Sequence, residues 1–135
     1  MGLDTTHDCW HGPYSSFSRW RNALASAAGY EVLPVKDDIG MVFDTVQIDW
    51  DGIAARNPNV YEGVWVEPPA DPLLIVIVHS DCDGRIYPHD AANLVNRLEE
   101  LLPKLNDIDS VKFKTEKFIA GLHKAVEANE PVEFH

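Results

Sequence analysis

Apolar residues recur at helical spacing in three stretches of this chain, and each stretch is bounded by residues that start or stop helices. The first begins near Ser15 or Ser16, either of which can cap exposed N–H groups. Phe17, Trp20, Leu24 and Ala28 share one face, and Gly29 ends the pattern. Arg21 lies at the edge of that face, where a partly buried guanidinium needs a carboxylate or anionic partner, whereas Arg19 points the other way. The second stretch opens at Pro88, suited to a first helical turn, repeats Ala91, Leu94, Val95, Leu98, Leu101 and Leu102, and stops at Pro103. In the third, Asp109 or Ser110 caps a helix in which Phe118, Leu122, Ala125 and Val126 face the core. Gly121 on its border permits close packing, and Pro131 closes it before the Val132–His135 tail.

Residues 30–72 follow no single period. Pro34, Pro58, Pro68, Pro69 and Pro72 interrupt them, and short apolar pieces such as Gly40–Phe43 and Val64–Val66 predict two or three short strands with long connections. Leu73-Leu74-Ile75-Val76-Ile77-Val78 is a continuous, mostly β-branched run that predicts a central strand covered on both faces. The expected fold class is therefore α/β, with α+β as the alternative: a small mixed sheet centred on 73–78 and covered by about three helices.

Composition narrows the picture. A chain of 135 residues, 45% hydrophobic and 24% charged, is expected to form one domain over 1–135 around one core. Eleven basic against 22 acidic residues give a net charge of −11, which disfavours nucleic acid and anionic membrane as partners. Residues 1–30 balance Asp4 and Asp8 against Arg19 and Arg21, so the excess belongs to the remainder. The N-terminus lacks the basic start and apolar run of an export signal, and 73–78 is too short to span a bilayer. A cytoplasmic location is expected, where Cys9 and Cys82 are free thiols or metal ligands rather than a disulfide.

His7, Cys9 and His11 alternate, so an extended segment would project all three from one face. His79, Asp81 and Asp83 alternate in the same way just beyond the run at 73–78, where open α/β sheets place ligands. Zinc would take three or four of these donors, with His7, Cys9, His11, His79 and Asp81 as the set, if the two segments lie side by side. The bland alternative is a buried polar network. Calcium is a weaker match: His79 to Asp90 places Asp81, Asp83, Gly84, Ile86 and Asp90 at calcium-loop positions, but His79 is not a hard oxygen donor and an Asp-Gly turn explains the pattern. Cys9 or Cys82 beside an imidazole could act as a nucleophile, although a small buried cysteine is usually packing. Trp10 and Tyr14, in the loop before the first helix, offer stacking surfaces, and Arg21 could engage a carboxylate or phosphate; Trp20 is more simply core. No Walker loop, dinucleotide-binding glycine pattern or H-E-x-x-H is present.

The opening Met1-Gly2-Leu3-Asp4, the block His7-Asp8-Cys9-Trp10-His11-Gly12-Pro13-Tyr14-Ser15-Ser16-Phe17-Ser18-Arg19-Trp20-Arg21, the block His79-Ser80-Asp81-Cys82-Asp83-Gly84, the Arg97–Pro103 stretch and the closing Glu130–His135 carry a resemblance. The chain resembles a group of uncharacterised bacterial and phage proteins of similar length, with residues 32–70 as the variable part. The resemblance implies a host–phage setting and, with it, a small nucleotide-like or other anionic metabolite, or a host protein, as the partner. The expected function is thus anionic small-molecule or metal binding in a polar pocket where residues 7–21 meet 79–84, contacted by Trp10, Tyr14, Arg21, His79, Asp81 and Asp83. The alternatives are a protein-interaction module whose motif residues are structural, and a metal-dependent hydrolase.

Overall fold

The computed structural model describes residues 2–60, 65–80, 83–105 and 110–135. Among them the helices are α1 (Tyr14–Ala27), α2 (Trp50–Arg56), α3 (Leu74–Ile77), α4 (Pro88–Leu101) and α5 (Val111–Ala128), and the strands are β1 (Gly2–Asp4), β2 (His11–Pro13), β3 (Val32–Lys36), β4 (Val42–Val46), β5 (Arg85–Ile86) and β6 (Val132–Glu133). The strands pair β1 with β2, β3 with β4 and β5 with β6, all antiparallel. The fold is a mixed helix and strand arrangement with three small two-stranded sheets rather than one central sheet.

The three long helices form where the periodicity places them. α1 buries Phe17, Trp20, Leu24 and Ala25, and Gly29 takes φ 95 so that Tyr30 N–H can reach back to the Ala25 carbonyl at 2.9 Å. Pro88 opens α4, which buries Leu94, Leu98 and Leu101. Pro103 falls in a 3-10 turn at Leu102–Lys104 that follows directly. α5 ends at Asn129, in left-handed geometry, two residues before Pro131. α4 and α5 pack side by side, and η-type turn residues Thr6–Asp8 sit against α5 where Gly121 leaves room.

The run at 73–78 is not a strand. It forms the single turn α3, with Leu73, Ile75 and Val76 buried in the core. Asp71 and Pro72 decide this: Asp71 Oδ1 accepts the Leu73 N–H at 3.0 Å, and the Asp71 and Pro72 carbonyls accept from Leu74 and Ile75 at 3.0 Å each, so the chain enters the run already turning. A six-residue apolar run has no period that separates a buried strand from a buried helical turn. Between 30 and 72 lie the β3–β4 hairpin and α2; Val66 is exposed, and Val64 lies outside the described residues. The Val132–His135 tail is paired, with β6 on β5 and Thr5 bridged to Phe134. No helix among the described residues is long and apolar enough to cross a membrane.

Candidate functional site

Among the described residues, the segments 7–21 and 79–84 meet where the Arg21 side chain reaches the backbone of His79. Arg21 donates from Nη1 to the carbonyls of Ile77, at 3.3 Å, and His79, and its guanidinium lies 4.5 Å from the Phe17 ring centroid. It thereby satisfies carbonyls at the end of α3, which a one-turn helix cannot pair internally. His79 is 5% exposed and stacked on Phe134 at 3.9 Å between centroids, with Nδ1 2.8 Å from the Ser80 carbonyl and Nε2 3.3 Å from that of Arg85. Burial holds its pKa below the usual imidazole value, even though both carbonyls favour protons on the ring.

The expected tripod is dispersed. His7 and Asp8 adopt φ 61 and 59, so the segment turns instead of extending and its side chains diverge. His7 Nε2 faces Glu130 at 3.2 Å; Cys9 is fully buried, its thiol pushed up to about 12 by that burial; His11 is exposed and 3.4 Å from Asp4. A thiol so raised is a poor nucleophile at neutral pH. Among the described residues no group of three or more His, Cys, Asp or Glu is placed to hold a metal ion. Asp81 and Cys82 lie outside the described residues. Asp83 is exposed, its N–H 3.3 Å from Ser80 Oγ, and Asp90 is in the first turn of α4 rather than in a loop. Trp10, 4% exposed, packs with Phe17 and Trp20 at 5.2 and 5.0 Å between centroids, and Tyr14 is half-buried against the same core. Neither offers an open stacking face of the kind the sequence suggested.

A concavity of about 550 Å³ lies elsewhere, between α1, the turn at Leu102–Lys104 and the start of α5. One stripe of α1 forms a wall: Arg19 and Trp20 stand among Ser16, Ala23, Ser26 and Ala27, four small residues that leave space beside the long cation. Lys104 and Leu105 close one side, and Ser110, Val111 and Lys114 the other. Arg19, Lys104 and Lys114 therefore converge, and none of them makes an ion pair with a described residue. Arg19 Nη2 donates to Ser16 Oγ at 3.4 Å, and Lys114 Nζ sits 5.6 Å over the Trp10 ring.

Backbone adds to the positive field. The first turn of α5 carries no acidic residue, and Ser110 makes no side-chain capping bond, so among the described residues the N–H groups and positive dipole end of this helix border the cavity without a side-chain cap. No carboxylate is among the described lining residues. Three of the eleven basic residues of a chain of charge −11 thus share one hollow. The sequence held a signal that periodicity alone passes over: four of its six lysines, Lys104, Lys112, Lys114 and Lys117, fall within 104–117. No protein-family model, curated protein or solved structure matches the chain.

Proposed function

We propose that the chain binds a small anionic molecule, of nucleotide-like size, in the cavity between α1 and the N-terminus of α5. The observation that carries this reading is that Arg19, Lys104 and Lys114 line one cavity together with the first turn of α5, without a carboxylate among the described lining residues, in a strongly acidic chain. Clustered cations repel one another, and without an anion that repulsion costs stability. With one, they supply charge-assisted hydrogen bonds and the helix supplies N–H donors.

The cavity is larger than a phosphate or carboxylate needs and falls in the range of about 300–1,000 Å³ typical of small-molecule sites. Ala23, Ala27, Leu105 and Val111 give its other part an apolar lining, which suits the organic body of a ligand whose anionic head meets the cations. The function is recognition of that ligand: the cations and serine hydroxyls among the described lining residues are groups that bind an anion.

Calorimetric titration with inorganic phosphate and with adenosine monophosphate, at two salt concentrations, tests the reading. Binding that weakens as salt rises, and falls about tenfold or more in a Lys104→Gln, Lys114→Gln variant of unchanged melting temperature, is expected. Failure of both anions to bind at low salt sinks it.

A further inference from the structure

The β3–β4 hairpin presents apolar side chains to solvent: Leu33, Val35, Ile39, Met41, Val42 and Phe43 are 42, 39, 82, 63, 63 and 50% exposed. These positions are held in place. Asp37 Oδ1 accepts the N–H groups of Ile39 and Met41 at 3.0 and 2.8 Å, fixing the turn. Register pairs Val35 with Phe43 and Leu33 with Thr45, which puts Leu33, Val35 and Phe43 on one face, opposite the face on which Val32 and Val46 pack against the core. Contiguous exposed apolar surface rimmed by polar groups marks an interaction site.

The surroundings are mainly acidic: Glu31 precedes β3, Asp37 and Asp38 form the turn, and residues 31–51 hold six carboxylates against one cation, Lys36. A second copy of the chain would set two such acidic regions against each other, so like-charge repulsion disfavours self-association here. The hairpin edges are also closed to an added strand. Gln47 N–H bonds the Glu31 carbonyl at 2.8 Å and Asp37 N–H that of Met41 at 2.9 Å, so the odd-numbered residues of β3 pair inward and Val32, Pro34 and Lys36 direct their backbone outward. Pro34 removes the central donor on that edge, and on the other edge the Asp44 carbonyl already accepts from Asn22 Nδ2 at 3.1 Å.

We infer that this hairpin face docks a basic, amphipathic segment of another protein, its apolar side chains against Leu33, Val35 and Phe43 and its cations against the surrounding carboxylates. The surface is separate from the anion cavity, so the two readings stand or fall independently.

The probe is a fluorescein-labelled 14-residue peptide of leucine and lysine in helical register, titrated against the full chain by anisotropy and mapped by backbone amide shifts, with oligolysine of equal charge as comparison. The expected result is binding tighter than oligolysine, shifts confined to residues 31–51, and a loss of about tenfold or more both in Leu33→Ser, Phe43→Ser and, separately, in Asp38→Lys. Each position is exposed, so melting temperatures should match the parent. No binding, oligolysine binding as tightly, affinity unchanged in these variants, shifts outside the hairpin, or a hairpin-dependent dimer in sedimentation would overturn the inference.

Discussion

The indole N–H of Trp20 donates to Thr115 Oγ1 at 2.9 Å, and the Thr115 hydroxyl donates to the Val111 carbonyl at 2.8 Å. This relay ties α1 to the first turn of α5 and so sets the separation of the two principal walls of the basic cavity. Trp20 and Thr115 are both buried, at 1 and 0% exposure, so neither group has water as a substitute partner.

Thr115→Val keeps the shape but leaves the Trp20 N–H without its acceptor. Stability should fall by about 1–3 kcal/mol, the cost of orphaning a buried donor. Thr115→Ser, which keeps the hydroxyl, should recover most of it; chemical denaturation of the three proteins measures the difference, and equal loss in both variants would remove the hydrogen bond from the explanation.

Gly121 is where α5 meets the turn that carries His7 and Cys9. A methyl there would fall 2.5 Å from Cys9 Sγ and 2.8 Å from the His7 carbonyl. Gly121→Ala gains about 1 kcal/mol of helix propensity, yet the clash should reverse the sign and leave the protein about 1–3 kcal/mol less stable. A raised melting temperature would contradict the close packing.

Asp71 joins three elements: it accepts from Tyr30 Oη at 2.9 Å and from Arg97 Nε at 2.9 Å, besides starting α3. Burial alone would raise its pKa, but the Arg97 bond, the Leu73 amide and Tyr30 together hold it below the ordinary carboxylate value. A folded pKa below the unfolded one contributes stability that is present above the unfolded value of about 3.9 and is lost as pH falls through the folded value. Asp71→Asn should therefore be less stable at neutral pH and show a shallower decline on acidification, read from denaturation midpoints across that range.

His79 has its pKa depressed in the fold by burial. Below the unfolded imidazole value of about 6.5 the unfolded chain takes up a proton that the folded chain does not, so the contribution present above that pH is lost as pH falls toward the folded value. A ring-carbon NMR titration should place His79 below the ordinary imidazole value of about 6.5. A midpoint above it would mean that the Ser80 and Arg85 carbonyls outweigh burial.

The amphipathic helices were legible because a 3.6-residue period sustained over several turns has one interpretation: Val111–Ala128 carries the bounds that the sequence suggests, and α1 and α4 differ by a residue or two at their ends. Gly121 was legible as a packing glycine for the same reason. Residues 73–78 were misread because burial on all sides erases period, leaving Asp71-Pro72 as the deciding signal. The left-handed turn at His7 and Asp8 has no marker such as glycine, so the alternation of His7, Cys9 and His11 suggested a face that does not form. Arg21 is half-buried at the edge of the apolar face, as the sequence suggests, and among the described residues it donates to the carbonyls of Ile77 and His79. The cavity escaped because it arises only when the small-residue stripe beside Arg19 meets lysines more than eighty positions away.

The central claim is that this cavity is an anion site, and amide-shift mapping on the isotope-labelled chain titrated with adenosine monophosphate tests it most directly. The account predicts perturbations concentrated at Ser110–Lys114 and along the Ser16–Ala27 stripe of α1, abolished by Arg19→Gln, Lys104→Gln. Perturbations centred instead on Arg21 and His79, or none at millimolar ligand, would contradict it.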